Sequence, residues 1–63
     1  MDKNIVLSVV NSLSTSEGRK VSEIQELFPE LLEEDVIEAL AEGVKRDFVE
    51  KYTKDGQDFY IKK

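Results

Sequence analysis

The chain has no cysteine and no histidine. That removes disulfide staples, the common zinc sites, thiol nucleophiles and any histidine-based triad or general base. Glycine occurs only three times, at Gly18, Gly43 and Gly56, and each stands alone, so there is no glycine loop to cradle a phosphate. No apolar run approaches the ~20 residues that span a bilayer, and no N-terminal signal pattern is present. The residues therefore predict no membrane partner and a soluble, cytoplasmic setting, as an intracellular protein or an excised domain of one. Residues 1–63 make one domain. A chain this short buries only about 60% of the surface its unfolded form exposes, so its core is small and its stability marginal. Charged residues at 37% and apolar ones at 40% place it among globular rather than disordered chains.

The formal charge is −5, and it is unevenly spread. Residues 1–21 and 48–63 are each net +1, whereas residues 22–47 carry nine acids against Lys45 and Arg46, a net −7. An acidic balance disfavours a polyanionic partner.

Ile5, Val6, Val9, Val10 and Leu13 put one apolar stripe on a helix over residues 3–14, with Asp2 as N-cap. Ser14 to Lys20 is polar, and Gly18 marks a turn. Val21 stands alone as a short pairing segment. Ser22 and Gln25 have the spacing of a capping box, with Val21 and Leu27 placed for a hydrophobic staple. The second helix is short, carries Ile24, Leu27 and Phe28 on one face, and stops at Pro29. After a tight turn at Glu30, Leu31 and Leu32, a third helix runs from about Glu33 to Arg46. Its predicted buried stripe is Val36, Ile37, Leu40 and Val44, with Ala39 and Ala41 beside it. Glu33, Glu34 and Asp35 in the first turn and Lys45 and Arg46 in the last suit the helix dipole. Gly43 weakens the helix interior by about 1 kcal/mol against alanine and reads as close packing or an early helix end.

Two strand-like runs follow, Phe48–Lys54 and Gln57–Lys62, joined by Asp55-Gly56, a strong two-residue hairpin signal. Counting outward pairs Lys54 with Gln57, Tyr52 with Phe59, and Glu50 with Ile61. The face with Phe48, Tyr52, Phe59 and Ile61 is expected to be the drier one; Val49 and Tyr60 on the other face keep the opposite choice open. The expected core is Ile5, Val6, Val9, Leu13, Ile24, Leu27, Phe28, Val36, Leu40, Val44, Phe48 and Phe59. The fold class is α+β, with three helices and a C-terminal β-hairpin.

That order resembles a winged helix-turn-helix across nearly the whole chain. Ser22-Glu23-Ile24-Gln25-Glu26-Leu27-Phe28-Pro29 matches the motif's first helix and Val36-Ile37-Glu38-Ala39-Leu40 its second. Phe48-Val49-Glu50-Lys51-Tyr52, Asp55-Gly56 and Phe59-Tyr60-Ile61 match the wing. Many members place a glycine before the wing strand, where this chain has Asp47. The short helices and aromatic-rich end are similar to the C-terminal domain of archaeal minichromosome maintenance (MCM) helicases, and to small archaeal transcription regulators. The resemblance implies work within DNA replication or transcription machinery, near the nucleoid in an archaeal or bacterial cell.

It also implies a third helix that leads into the major groove. Here the leading turn holds Glu30, Glu33, Glu34 and Asp35, with Glu38 and Glu42 further along. A like-charge contact with phosphate costs on the order of several kcal/mol near a surface. Specific recognition gains only about 4–10 kcal/mol over non-specific binding, so several such contacts would consume the margin. The favoured expectation is therefore a regulatory, protein-interaction module. Its contact face is Glu30, Leu31, Leu32, Glu33, Glu34, Glu38 and Glu42, and its partner a protein with a basic surface, such as a parent or neighbouring helicase or transcription subunit. Acidic faces steer such encounters, and an exposed leucine supplies an anchor. The alternative is weak, salt-dependent nucleic-acid binding through Arg19, Lys20, Lys51, Tyr52, Lys54, Tyr60 and Lys62, with Lys63 nearby. Lysines that merely blunt an edge strand would look the same.

Catalysis is not expected. General acid–base work needs a carboxylate in a dry cleft with a shifted pKa, and a three-helix domain with a hairpin is expected to have no room for a substrate-sized cavity of ~300 Å³ or more. Glu33, Glu34 and Asp35 offer a divalent cation a loose hold without calcium-loop spacing. No cofactor or metal is expected, and the isolated domain is expected to be a monomer.

Overall fold

The computed structural model describes residues 2–63. Asp2 starts the first helix, α1 (Lys3–Asn11), by accepting the Asn4 N–H at 2.8 Å. The helix ends earlier than its apolar stripe: Ser12 still bonds the Ser8 carbonyl at 3.1 Å and its Oγ donates to the Val9 carbonyl at 2.6 Å, but the Leu13 N–H slips to the Val10 carbonyl at 3.1 Å. Leu13 is nonetheless buried.

The second helix, α2, spans Val21–Leu27. Its N-terminus lies two residues before the expected Ser22–Gln25 capping box, and that box does not form. Instead the Glu23 carboxylate accepts the Lys20 N–H at 2.9 Å. Val21 is already helical, so the Val21–Leu27 staple is absent too. The pairing segment expected at Val21 sits at Arg19, which exchanges two 2.9 Å backbone hydrogen bonds with Tyr60.

The third helix, α3, spans Glu33–Lys45, with Asp35 accepting the Leu32 N–H at 3.4 Å. Its buried stripe is Val36, Ala39, Leu40 and Gly43. Ile37 and Val44, expected in that stripe, are exposed. The reason is a close approach. A Cβ on Gly43 would stand 2.9 Å from Val49 Cγ2 and 3.1 Å from Val10 Cγ2. The helix turns its small residues to its neighbours, and the larger Ile37 and Val44 fall at the margin.

Helix α3 ends in a Schellman arrangement. The Phe48 N–H bonds the Gly43 carbonyl at 2.8 Å and the Asp47 N–H bonds Val44 at 3.0 Å, with Asp47 left-handed at φ 65°. Asp47 thus takes the conformation for which glycine is usual, and Asp is among the few residues that tolerate it.

The antiparallel hairpin follows, β1 (Val49–Lys54) and β2 (Gln57–Lys62), in the counted register. Asp55 and Gly56 have the two positive φ values, 54° and 76°, of a type I′ turn. The face assignment is reversed. Val49 and Tyr60 are buried, while Phe48 and Tyr52 are exposed and Phe59 and Ile61 lie between. Val49 must face inward because its methyl groups fill the space that Gly43 leaves.

The core is Val6, Val9, Val10, Leu13, Ile24, Val36, Ala39, Leu40, Val49 and Tyr60, with Ile5, Val21, Phe28 and Leu31 packed against it. Of the expected core, Leu27, Val44 and Phe48 are exposed and Phe59 is only partly covered. No helix among the described residues is long and apolar enough to cross a membrane.

Candidate functional site

The turn between α2 and α3 is built by three local choices. Pro29 forbids a further helical turn, and Phe28 leaves helical geometry at φ −130°, ψ 67°. The Leu31 N–H closes the turn on the Phe28 carbonyl at 3.0 Å. Gln25, free of any capping role, reaches under the turn. Its Nε2 donates to the Leu31 carbonyl at 2.5 Å and more weakly to Phe28 at 3.4 Å. Gln25 therefore holds the loop against the helix that precedes it.

This clamp decides which leucines are available. Leu31 is drawn onto the core and half-buried, so it acts as a structural anchor. Leu32, the N-cap residue of α3, is 63% exposed. Leu27, assigned to the core from its spacing, is 60% exposed at the end of α2. Two leucines thus flank the turn in solvent, and the second of them was missed. No pattern distinguishes Leu27 from Phe28, since both lie one helical turn from Ile24. Only the departure of Phe28 from the helix turns that ring to the core and leaves Leu27 outside.

Charge around the turn is of one sign. Residues 21–44 contain eight acids and no lysine or arginine. Glu30, Glu33, Glu34 and Glu38 are exposed, as is Glu26. None of these five makes an ion pair among the described residues. Glu42 is partly covered and pairs with Arg46 at 3.2 Å, and so leaves the open set. Asp35 serves the α3 N-terminus. Glu33, Glu34 and Asp35 do not converge, and no group of three or more acidic side chains among the described residues is placed to hold a metal ion.

Between α1 and the turn lies an open cleft of about 260 Å³. Ile5, Phe28 and Leu31 give it an apolar floor, and Asn4, Ser8 and Glu30 a polar rim. Among the described residues that line it, Glu30 is the one titratable group.

The basic residues of the alternative reading are gathered only in part. The Arg19–Tyr60 pairing brings Arg19 and Lys20 beside the hairpin. Lys20 Nζ lies 5.9 Å from the centroid of Phe59, which stacks on Tyr52 at 5.4 Å and 14°. Tyr60 is buried, so its ring offers no stacking surface. Lys51 pairs with Asp58 at 3.6 Å, and Lys62 donates to Asn11 Oδ1 at 3.1 Å. Lys63 pairs with Asp47, whose hydrogen bond and charge hold the Lys63 ammonium above the usual lysine pKa. Arg19 and Lys54 have no ion-pair partner among the described residues. Most of the hairpin's positive charge is already engaged within the chain.

Compared with protein-family profiles, curated proteins and solved structures, the chain has no match.

Proposed function

We propose that this chain is a non-catalytic winged-helix module that docks onto a basic protein surface through its α2–α3 turn and the acidic outer face of α3. The order of elements, the short Arg19–Tyr60 pairing and the two-residue hairpin support the winged-helix part. Work within replication or transcription machinery rests on that resemblance.

The observation that carries the reading is the pair of solvated leucines, Leu27 and Leu32, inside a segment with no positive charge. Burying one such side chain gains about 1.5–3 kcal/mol. Unpaired carboxylates around it speed encounter with a cationic partner and reject anionic ones. Nucleic acid meets the opposite conditions, because the helix that would enter a groove presents Glu33, Glu34 and Glu38.

The test compares two double variants in capture of partners from the source cell, followed by cross-linking. Leu27→Asp with Leu32→Asp should lose the captured protein, and Lys51→Glu with Lys54→Glu should retain it. In parallel, the labelled domain is titrated with a short duplex and a short single strand at low salt. Amide shifts confined to Arg19, Lys20 and residues 51–62, fading as salt rises, would replace this reading with nucleic-acid binding through the hairpin.

A further inference from the structure

We infer that the cleft between α1 and the α2–α3 turn is the anchor pocket of this docking surface, and that it takes one large apolar side chain from a lysine- or arginine-bearing segment of the partner. The inference rests on the acidic-face reading above and adds the chemistry of what is bound.

The size of the cleft limits the occupant. About 260 Å³ falls below the ~300–1,000 Å³ of ordinary small-molecule sites and suits a single bulky side chain. Its floor of Ile5, Phe28 and Leu31 offers no hydrogen-bonding partner beyond backbone, so the inserted group must be apolar. Three polar rim residues, Asn4, Ser8 and Glu30, leave room for a backbone to lie across the opening.

Charge picks the flanks. The turn wall belongs to the cation-free stretch 21–44, with Glu30 on the rim and exposed Glu26, Glu33 and Glu34 close by in sequence. The α1 wall, Asn4, Ile5 and Ser8, carries no charge. A bound segment therefore lays its cations toward the turn and its neutral side toward α1. That asymmetry orients the segment as well as attracting it.

The cleft is also preformed. Gln25 pins the Leu31 and Phe28 carbonyls, so the floor does not have to be ordered when a ligand arrives.

The experiment uses three synthetic peptides as probes. The first is a short lysine-rich peptide with one central phenylalanine. The second has alanine in place of that phenylalanine, and the third has glutamate in place of each lysine. Binding to the whole chain is followed by amide and methyl NMR. The phenylalanine peptide should bind roughly ten- to a hundredfold tighter than the alanine peptide, the return from one buried anchor, and should shift the Ile5 and Leu31 methyl groups. Ser8→Trp, which fills the cleft from its rim, should erase that advantage, so that the phenylalanine and alanine peptides bind alike. Asn4→Trp, on the same wall, serves if Ser8→Trp fails to fold. Equal binding of the phenylalanine and alanine peptides, with shifts at Glu33, Glu34 and Glu38 but not at Ile5 and Leu31, would overturn the anchor pocket and leave the acidic docking face standing. Failure of both lysine peptides to bind at low salt, or equal binding of the glutamate peptide, would overturn the docking face and the pocket with it.

Discussion

Gly43→Ala sets two effects of known size against each other at one atom. Alanine in a helix interior gains about 1 kcal/mol over glycine. The added Cβ would stand 2.9 Å from Val49 Cγ2 and 3.1 Å from Val10 Cγ2, where carbon atoms prefer about 3.5–4.0 Å. The two methyl groups belong to different elements, so relief means moving α1 or the root of the hairpin away from α3. Overpacking of this kind costs about 1–3 kcal/mol. The expected net loss is therefore between about 0 and 2 kcal/mol, or up to about 15 °C in melting temperature for a domain of this size. Urea and thermal unfolding followed by circular dichroism would measure it. A second background isolates the cause. Val49→Ala alone removes two buried methyl groups and costs about 2 kcal/mol. In that background the main clash is gone, and Gly43→Ala should become neutral or stabilising by up to about 1 kcal/mol. The coupling between the two sites is then about 1–3 kcal/mol. A rise in stability on Gly43→Ala in the parent chain, or the same loss in both backgrounds, would refute the close approach of α3 to β1 and α1.

Leu40→Ala should cost about 2–5 kcal/mol in urea unfolding, most of the ~3–9 kcal/mol typical of a domain this small, whereas Leu27→Ala should stay within about 0.5 kcal/mol of the parent; equal losses would contradict the placement of Leu27 in solvent. In a Lys63→Met background, where the Asp47 carboxylate has lost its partner, Asp47→Gly should be neutral or stabilising by up to about 1 kcal/mol, because it relieves a left-handed residue, and Asp47→Val should cost about 1–2 kcal/mol or more; a valine variant as stable as that background would contradict the positive φ. The Lys63 ammonium, raised above 10.5 chiefly by its hydrogen bond to Asp47, contributes to stability below pH 10.5, and that contribution fades as pH rises through the higher folded value. A Lys63→Met variant should therefore differ from the parent below pH 10.5 and converge with it above the folded pKa, and an NMR titration midpoint at or below 10.5 would remove the pair.

Element types and the hairpin register were legible because each depends on neighbours in sequence. Asp55-Gly56 dictates a two-residue turn, and the turn dictates every cross-strand partner down to Glu50 and Ile61. The acidity of the middle segment was legible for the same reason, since net charge needs no geometry. The orientation of faces was not. On one side of the hairpin stand three aromatic rings and an isoleucine, and on the other only Val49 and Tyr60 among charged neighbours, so apolar count favours the wrong side. What decides is a contact over long range. Gly43 leaves a gap in α3 that Val49 fills, and the left-handed Asp47 sets the angle at which β1 departs. Once Val49 is inward, alternation forces Tyr60 inward and Phe48 and Tyr52 outward. The same kind of contact decides the candidate site. Gln25 holds Leu31 against the core, Phe28 follows, and Leu27 and Leu32 are left on either side of an acidic turn. Because Gln25 bonds the carbonyls of the turn and not its side chains, the floor of the cleft stays fixed while the two solvated leucines and the rim are free to vary.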